Sequence, residues 1–485
     1  MTIARNLIDG QWQEALSGNT VPSINPATGE SLGSVVNGGK AEAEAAVQAA
    51  RTAFSKASWS QNPRLRQMTL LRWADNLERN AGALAELLTK TNGKVLVQSQ
   101  GEIAGAISEI RYYAGLTRHL TGHNLEVAPG EFSVMMREPA GVAGLIIPWN
   151  APAVLLIRSL APALAAGCTT VVKLATQTAL FTARLVEHLH SVEEMPAGVV
   201  NTLHETGSEG AQFLVESPNV DVISFTGSTA VGKKIMAAAA DTVKKLSLEL
   251  GGKAAAIVLA DASIDDAARH LAHAATIISG QQCTAARRVL IHDSRFEEMA
   301  DALTGALSSL KVANGMDDGA HMGPLVDACA RDAVADATAR AFDQAEKVLL
   351  RGGVPDGAPQ GSAFLTPSLV TSENPDAFFV QEEIFGPFVV LERFESEADA
   401  VEKANNTVFG LSASIWTNAG APALRIARAL HRGTVWINDH NKLFAEAETG
   451  GYRQSGLGRL HGFDALQDFT ELKHVYQNVG VIGAR

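Results

Sequence analysis

Cysteine is scarce in this chain, with three residues in 485. Cys168, Cys283 and Cys329 form neither a CxxC pair nor a Cys/His ligand spacing. We therefore expect no disulfide framework and no metal site. A cysteine chosen at random is most often a buried, inert side chain, which suits Cys168 and Cys329. Cys283, in the segment SGQQCTAARRV, needs further support before it is given a chemical role.

The sequence also lacks the patterns of a secretory leader and of a membrane helix. The first residues, MTIARNLIDGQW, contain no apolar core of roughly 7–15 residues. The longest weakly charged run, 141–157, carries Pro148, Asn150 and Pro152 at its centre, and these residues break a helix. The net charge of −12 argues against a nucleic-acid or anionic membrane partner. A cytoplasmic protein is therefore the default expectation.

No internal repeat and no low-complexity linker divide the chain, although 485 residues exceed what one core can hold. Residues 40–120 have a helical pattern. Short β-branched strands then alternate with helices from TTVVKLA to KKLSLELGG, and again from AAIVLADA to TVWIND. This alternation predicts parallel sheets. We expect an α/β fold with two doubly wound α/β domains and a small β-rich oligomerisation segment, which includes the terminal strand ELKHVYQNVGVI.

Two polar residues lie in otherwise apolar surroundings. Glu249 precedes two glycines in LELGG, and an unpaired carboxylate there has a raised pKa, as a general base requires. Asn150, between two prolines in IIPWNAP, can donate N–H groups to an oxyanion. A surface strand end and a plain turn residue are the respective alternatives.

The segment FTGSTAVG ends a strand, makes a turn and begins a helix. Backbone N–H groups at a helix start bind phosphate, and glycine permits close approach. No GxGxxG fingerprint follows any strand, so the usual Rossmann signature is absent. An ordinary capped helix is an equal alternative for this segment.

In this order, the motifs together resemble those of the aldehyde dehydrogenase superfamily, of the hydrolytic, NAD(P)-dependent type. The resemblance extends along nearly the whole chain, through NLIDGQW, INPATGE, IIPWNAP, VVK, FTGSTAVG, LELGGK, GQQCTAARR, EEIFGPF, GGYRQSGLGR and FTELKHV. It implies that Cys283 is the nucleophile, Glu249 the general base and Asn150 an oxyanion-hole donor. The implied reaction passes through a thiohemiacetal and a thioester on Cys283, which water activated by Glu249 hydrolyses.

The resemblance also implies a dinucleotide cofactor, NAD or NADP, without deciding between them. The implied cofactor-binding residues are Ile147, Pro148, Trp149, Lys173, Thr176, Gly207, Gly227, Ser228, Gly251, Glu383 and Phe385. Thr176, in KLAT, stands where the family often has a glutamate that contacts the adenosine ribose. A carboxylate there would repel a 2′-phosphate, so its absence leaves NADP open.

Three further segments depart from the family pattern. Ala230 replaces a frequent glutamate near the pyrophosphate, with no expected effect on the chemistry. ETGG replaces PFGG, so that Glu448 and Thr449 stand at the border of the substrate tunnel without a bulky wall. GRLHG replaces a sequence that begins GRE, and the sequence alone gives that change no role.

The substrate is inferred from Arg158, on the helix that follows Asn150, at a position that faces the tunnel in the family. In this respect the chain resembles the succinate-semialdehyde and aromatic-aldehyde members of the family, which have arginine at the same position. We therefore expect an aromatic or carboxylated aldehyde as the substrate. An arginine paired with the scaffold is the alternative. Glu446 and Glu448 favour a cationic, betaine-aldehyde-type amino-aldehyde instead, and Thr449 is expected to line the tunnel.

Three other functions stay open at this point. A CoA-acylating member of the family usually lacks the glutamate, whereas Glu249 is present. A structural member without turnover should have lost Cys283, Glu249 or Asn150, and all three are retained. A thiol esterase would use Cys283 with no cofactor at all.

The sequence also predicts the domain bounds. We expect 1–119 and 140–251 to form the cofactor-binding domain and 252–452 the catalytic domain. Residues 120–139 and 453–485 are expected to form oligomerisation or bridging segments, because strand addition across subunits would cover exposed edges. A homodimer or homotetramer is the expected assembly.

Overall fold

The first of two large sheets is built around five parallel strands. The computed structural model describes residues 3–483. In spatial order the eight strands of this sheet are Gly456–Leu457, Lys245–Glu249, Val222–Thr226, Val142–Ile146, Thr169–Ala175, Val200–Glu205, Asn6–Ile8 and Gln11–Gln13. The first strand and the last two run antiparallel to their neighbours. Parallel pairing aligns the carboxyl ends of the inner strands at one edge, where ligands bind in such sheets.

Helices cover both faces of this first sheet. One face carries Lys40–Ser55, Glu209–Glu216 and Thr229–Ala239. The other face carries Pro63–Arg79, Ala81–Asn92, Leu96–Leu116, Pro152–Ala166 and Ala179–His190. The second group buries side chains such as Leu160 and Phe181, each worth roughly 1.5–3 kcal/mol. Two apolar faces explain why the inner strands read as continuous β-branched runs rather than as alternating patterns.

The second sheet has seven strands. In spatial order they are Lys347–Leu350, Ser368–Thr371, Phe388–Phe394, Ala286–His292, Ala254–Val258, Ser412–Trp416 and Thr434–Ile437. Only Lys347–Leu350 runs antiparallel to its neighbour. Its helices are Ile264–Thr276, Phe296–Ser308, Ala328–Gln344, Phe378–Gln381, Glu397–Asn405 and Gly420–Ala429. Separate apolar clusters lie on the two sides of this sheet.

A third, three-stranded antiparallel sheet consists of His123–Ala128, Glu131–Pro139 and Thr470–Asn478. Apolar side chains remain exposed on it, including Leu125, Met136 and Leu472. The remaining strands are Ile3–Ala4, Thr20–Ile24 and Ser31–Val36 in one small sheet, and Phe409–Gly410 with Tyr452–Arg453 in another. A last short helix spans Ala465–Asp468.

The expectation of two doubly wound α/β units with a β-rich segment is confirmed by this architecture. The terminal strand, for which the sequence suggested no partner, pairs along its length with Glu131–Pro139 of the same chain. The numerical domain bounds stay a prediction. Sheet membership adds one detail, because Gly456–Leu457 extends the first sheet beside Lys245–Glu249.

Candidate active site

Five of the side chains that the sequence singled out line one cavity of about 620 Å³. These side chains are Asn150, Arg158, Glu249, Cys283 and Thr449. Asn150 lies just before the helix Pro152–Ala166, and Arg158 lies in that helix. Glu249 ends a strand of the first sheet, and Cys283 and Thr449 lie in loops that adjoin strands of the second sheet. The fold therefore brings together residues that are up to about 300 positions apart along the chain.

The loop that carries Cys283 has an unusual backbone. Ile278, Ser279 and Gly280 all adopt positive φ, at 50°, 54° and 74°. A β-branched residue at positive φ is strained, and such strain persists only where the surroundings fix it. The Ser279 hydroxyl donates to the carbonyl oxygens of Gly323 at 2.7 Å and Pro324 at 2.9 Å, which holds the loop in place.

The two arginines that follow Cys283 serve the scaffold. Arg287 is fully buried and donates to the backbone carbonyls of Gly280, Gln282 and Gly386. It thus ties the cysteine loop to the segment before the strand Phe388–Phe394. Arg288 forms a buried, bidentate ion pair with Glu392, at 2.6 and 2.7 Å.

Cys283 is half-buried at the cavity wall. Burial raises the pKa of its thiol to about 11, while the nearby charge of Arg158 acts in the opposite direction. At neutral pH only about one thiol in 10⁴ is then ionised. Because the thiolate is the nucleophile, attack requires that the proton be taken up as the sulfur reacts.

Glu249 ends its strand inside the cavity wall, with only 5% of its surface exposed. Its Oε1 atom is buried and has no hydrogen-bond partner among residues 3–483. Burial raises the pKa of this carboxyl, and the positive charges of Arg158, His461 and Arg459 oppose that rise. A buried carboxylate with a free oxygen and a raised pKa has the properties of a general base.

Asn150 points its amide toward the cysteine loop. Its Nδ2 atom donates to the carbonyl oxygen of Gln281 at 3.0 Å, which fixes the orientation of the amide. The amide carries two hydrogens, so the second is available to an oxygen atom in the cavity. An oriented amide donor of this kind can stabilise an oxyanion.

A buried network that the sequence analysis missed holds Asn150. Lys94, fully buried, forms an ion pair with Glu102 and donates to the Asn150 carbonyl at 2.9 Å. Asn92 donates to the Trp149 carbonyl at 2.9 Å. Glu102 in turn accepts from the Ala153 N–H at 2.7 Å, at the start of the helix Pro152–Ala166. The only sequence signal was a lysine after a helix-ending Asn-Gly, which gives no hint of its partners.

Arg158 is 5% exposed and makes one hydrogen bond, to the Thr226 hydroxyl at 3.3 Å. Its Nε atom is buried without a partner in the described part of the chain. No carboxylate among residues 3–483 lies within 4 Å of its guanidinium, so the scaffold-paired alternative is not what the structure contains. A buried guanidinium left in this state suits an anionic or aromatic ligand.

A second cleft, of about 390 Å³, lies at the carboxyl edge of the first sheet. Five implied cofactor residues line it: Ile147, Pro148, Trp149, Lys173 and Thr176. Burial lowers the pKa of Lys173, and Glu205 acts in the opposite direction. Thr226 also lines this cleft while it contacts Arg158, so the cleft adjoins the cavity.

The other implied cofactor residues lie around this cleft or toward the second sheet. Gly207 is exposed in the loop after Val200–Glu205. Gly227 and Ser228 form the turn after Val222–Thr226, and Ser228 caps the following helix. Glu383 accepts from the Gly252 N–H at 3.1 Å, and a Cβ on Gly251 would lie 2.5 Å from its other oxygen.

Phe385 joins the two large sheets beside the cleft. Its ring stands nearly perpendicular to that of Trp149, with the centroids 5.8 Å apart. The structure therefore places Phe385 next to a residue that lines the cofactor cleft, although the two are far apart along the chain. An aromatic pair of this geometry contributes roughly 0.5–1.5 kcal/mol and fixes the position of both rings.

The two glutamates of the ETGG region are used differently. Glu446 lines the cavity. Glu448 instead accepts from the Phe463 N–H at 2.9 Å and is not among the cavity-lining residues. Thr449 lines the cavity and exchanges backbone hydrogen bonds with Leu460.

The described residues contain neither a cluster of metal-ligating side chains nor a membrane-spanning helix. Within 3–483, no group of three or more His, Cys, Asp or Glu residues is arranged to hold a metal ion. No helix in that range has the length and apolar character needed to cross a membrane.

A thiol, a carboxylate and an oriented amide thus line one cavity, beside a second cleft at the carboxyl edge of the first sheet. The chain belongs to the aldehyde dehydrogenase family, whose model matches residues 12–475. Phenylacetaldehyde dehydrogenase from Pseudomonas fluorescens is 38% identical over 473 residues, which cover 96% of this chain and 94% of that protein. Mitochondrial succinate-semialdehyde dehydrogenase from Arabidopsis thaliana is 37% identical over 97% of this chain and 88% of that protein.

Solved structures give the same result. The crystal structure of betaine aldehyde dehydrogenase from Staphylococcus aureus in complex with NAD+ superposes with a TM-score of 0.95 at 34% identity. The match covers 99% of this chain and 97% of that chain. These similar proteins act on aldehydes of different charge, so similarity alone does not select the substrate.

Proposed function

We propose that this protein oxidises an aldehyde to a carboxylic acid with NAD+ or NADP+ as the hydride acceptor. The observation that carries the proposal is the single cavity that Cys283, Glu249 and Asn150 share, next to the cleft lined by Lys173 and Trp149. Membership of the family supports the same reaction class.

In the first half-reaction Cys283 attacks the aldehyde carbon. The thiol proton leaves to a water molecule, a C–S bond forms, and the C=O π electrons become negative charge on the former carbonyl oxygen. The free hydrogen on Asn150 Nδ2 and the backbone N–H of Cys283 are the donors we assign to that oxygen. Loss of one such donor slows comparable reactions by roughly 10²–10³-fold.

The residues around the second cleft fit a dinucleotide. A desolvated ammonium, a threonine hydroxyl and an indole ring suit phosphate, ribose hydroxyls and a flat base, and Lys173, Thr176 and Trp149 supply them. When bound, the dinucleotide supplies the acceptor for the hydride that leaves the substrate carbon. Lys173 would hold the adenosine ribose, and Glu383 with Phe385 would orient the nicotinamide ribose.

In the second half-reaction the acyl group leaves Cys283. Glu249 takes a proton from a water molecule, the water oxygen bonds to the acyl carbon, and the C–S bond breaks with its electrons on sulfur. The buried, unpartnered Oε1 atom of Glu249 supports this role. Hydrolysis by Glu249 argues for release of a free acid rather than transfer to CoA.

The unpaired guanidinium of Arg158 supports an aromatic or carboxylated aldehyde as the substrate. A carboxylate can pair with this group bidentately, and an aromatic ring can stack on it. The similarity to a phenylacetaldehyde dehydrogenase is compatible with an aromatic aldehyde, and the similarity to a succinate-semialdehyde dehydrogenase is compatible with a carboxylated one. Glu446 favours the second candidate, a cationic amino-aldehyde, because it lines the same cavity and is not among the ion-paired residues.

An assembly and a location complete the proposal. We propose a homodimer or homotetramer, located in the cytoplasm. The assembly is supported by the sheet that contains Glu131–Pro139 and Thr470–Asn478, because it carries exposed apolar side chains that a second copy of the chain would cover. Light scattering tests the assembly. A monomer at micromolar concentration would contradict it.

The deciding experiment is a panel of benzaldehydes, semialdehydes and amino-aldehydes, assayed by initial rates with NAD+ and NADP+. The panel is run on the wild-type protein and on Arg158→Ala. Acid formed at full rate without CoA supports the proposed reaction. Absence of cofactor reduction with every aldehyde would contradict it, and ester hydrolysis alone would point to a thiol esterase. A preferred aldehyde whose kcat/KM is unchanged in Arg158→Ala would remove the role of Arg158.

A further inference from the structure

The segment GRLHG, which the sequence left without a role, places a second ionisable pair in the wall of the catalytic cavity. His461 and Glu109 both line this cavity and are both buried. The Nδ1 atom of His461 lies 3.0 and 2.9 Å from the two carboxylate oxygens of Glu109. The two residues are 352 positions apart along the chain, so only the fold brings them together.

The hydrogen bonds of His461 fix the tautomer of its neutral form. Glu109 accepts from Nδ1–H, so the lone pair of a neutral imidazole resides on Nε2. The Nε2 atom is buried and has no hydrogen-bond partner among residues 3–483. Glu249, in the same cavity wall, has a buried Oε1 atom in the same condition.

The surrounding backbone holds His461 in a costly conformation. Its φ is +60°, which is uncommon for residues other than glycine. Leu460, before it, exchanges two backbone hydrogen bonds with Thr449. After it, the Gly462 carbonyl accepts from the Tyr113 hydroxyl at 3.1 Å, and the Gly462 N–H donates to Ala445 at 2.7 Å.

We propose that the Glu109–His461 pair accepts the proton that Glu249 removes from the hydrolytic water, and so returns Glu249 to its charged form. This inference rests on the proposed function, because it concerns hydrolysis of the acyl group on Cys283. The O–H bond of water breaks, its oxygen bonds to the acyl carbon, and the C–S electrons return to sulfur. Glu249 Oε1 and His461 Nε2 do not hydrogen-bond to each other, so the proton passes between them through water in the cavity that both residues line. The Nδ1 proton stays in the bond to Glu109. His461 acts through Glu249 and is therefore a positioning residue.

The charge of His461 also acts on Glu249. Protonated His461 is one of the positive groups that oppose the burial-driven rise in the pKa of Glu249. The other ionisable groups around His461 are Glu109 and Tyr113 on the helix Leu96–Leu116, Arg158, Glu249 and Cys283 in the cavity, Glu446 and Glu448 in the preceding loop, and Arg459 on its own segment. Removal of the imidazole alone should move the titration of Glu249 to higher pH.

The test follows the acyl group directly. Cys283 of the full-length protein is acetylated with p-nitrophenyl acetate, excess reagent is removed, and loss of the acetyl mass is timed by intact-protein mass spectrometry across pH. The variants are His461→Asn, Glu109→Gln, Glu249→Gln and Tyr113→Phe. Asparagine keeps an N–H donor for Glu109 and has no basic nitrogen.

In His461→Asn we expect the rate of acetyl loss to fall by roughly tenfold or more, at the low end of general acid–base effects. The acidic limb of its pH profile should move to higher pH, while the rate of acetylation stays within about twofold. Glu109→Gln weakens His461 as a proton acceptor and removes a negative charge, so it should also slow acetyl loss but should not move the limb to higher pH. Tyr113→Phe removes a bond to the His461 loop but leaves the imidazole, and should keep the wild-type pH limb.

Three results would overturn the inference. The first is a wild-type rate and limb in His461→Asn, or a wild-type rate in Glu109→Gln if the histidine variant does not fold. The second is a rate of acetyl loss that falls equally at every pH in His461→Asn, with no shift of the acidic limb of its pH profile. The third is a Tyr113→Phe profile that matches His461→Asn, which would mean that only loop position matters. If Glu249→Gln also loses its acetyl group at the wild-type rate, the proposed base itself is wrong.

Discussion

Two buried arginines show how differently the scaffold and the cavity treat charge. Arg288, inside the second sheet, is fully buried and pairs through two bonds with Glu392 and through a third with the Lys403 carbonyl. Arg158, beside the first sheet, is almost as buried, yet it has one hydrogen bond and no ion pair among residues 3–483. Protein groups thus neutralise the guanidinium of Arg288 and satisfy its hydrogen bonds, whereas the guanidinium of Arg158 is left available to a ligand.

The cavity repeats this pattern at other atoms. Glu249 Oε1, His461 Nε2 and Arg158 Nε are all buried polar atoms that have no hydrogen-bond partner within the described range 3–483. A buried polar atom without a partner costs roughly 1–3 kcal/mol, and a charged one costs more. Several such atoms in one cavity wall lower the stability of the folded protein locally. Packing in the surrounding sheets must compensate for this loss.

The largest effect should come from the nucleophile. Cys283→Ala should abolish acid formation, with a loss of at least about 10⁴-fold in kcat, because no other group can hold the acyl intermediate. Cofactor binding should be nearly unchanged, since the residues proposed to hold the cofactor line a different cleft from Cys283. Initial rates and a fluorescence titration with NAD+ measure the two quantities. Residual turnover close to wild type would show that Cys283 belongs to the scaffold.

Removal of the base should separate the two half-reactions. In Glu249→Gln we expect a burst of reduced cofactor at nearly the wild-type rate, then a steady state slower by about 10²–10⁴-fold. Burial raises the pKa of Glu249, so the wild-type steady-state rate should fall as the pH drops through a value above that of an ordinary glutamate. Stopped-flow absorbance across pH measures both effects. A burst that disappears together with the steady state would contradict the assignment.

The scaffold arginine should control stability rather than activity. Arg288→Met leaves Glu392 as an unpaired buried charge, which should lower the free energy of unfolding by about 3–5 kcal/mol. The double variant Arg288→Met with Glu392→Leu removes both charges and should recover most of that loss. Urea denaturation of the three proteins provides the measurement. If the double variant were as unstable as the single one, the loss in Arg288→Met would not come from the unpaired charge of Glu392.

The cavity arginine should show the reverse behaviour. Arg158→Met removes a buried charge that has no ion-pair partner among residues 3–483, so the free energy of unfolding should stay the same or rise rather than fall. The kcat/KM for the preferred aromatic or carboxylated aldehyde should nevertheless fall by about 10–100-fold, the size of one hydrogen bond to a charged group. Arg158→Lys, which keeps the charge, is the matched control. A large loss of stability in Arg158→Met would place this residue in the scaffold beside Arg288.

The sequence predicted the sheets well because their signals are local. Strands such as Thr169–Ala175 and Val222–Thr226 are short β-branched runs bounded by turn residues, and parallel sheets follow from their alternation with helices. The pairing of Thr470–Asn478 with Glu131–Pro139 could not be predicted, because register between distant strands leaves no local trace.

The site was predicted only in part, for a related reason. Cys283, Glu249 and Asn150 stand in motifs that resemble a family. Lys94, in the loop after the helix Ala81–Asn92, and Glu109, on the helix Leu96–Leu116, have no motif around them. Their importance lies in partners that are more than 50 and more than 350 positions away. A buried lysine or glutamate cannot be distinguished from an exposed one in the sequence, because its burial and its partners depend on the tertiary structure.

The burial of Cys283 also has a chemical consequence for the protein at rest. Peroxide and similar oxidants react with thiolates, and reactivity follows the ionised fraction of the sulfur. With a pKa of about 11, Cys283 is protonated at neutral pH. We therefore expect the sulfur to react slowly with peroxide while the cavity holds no substrate. The same burial that keeps the thiol protonated before the reaction is then expected to slow its irreversible oxidation between turnovers.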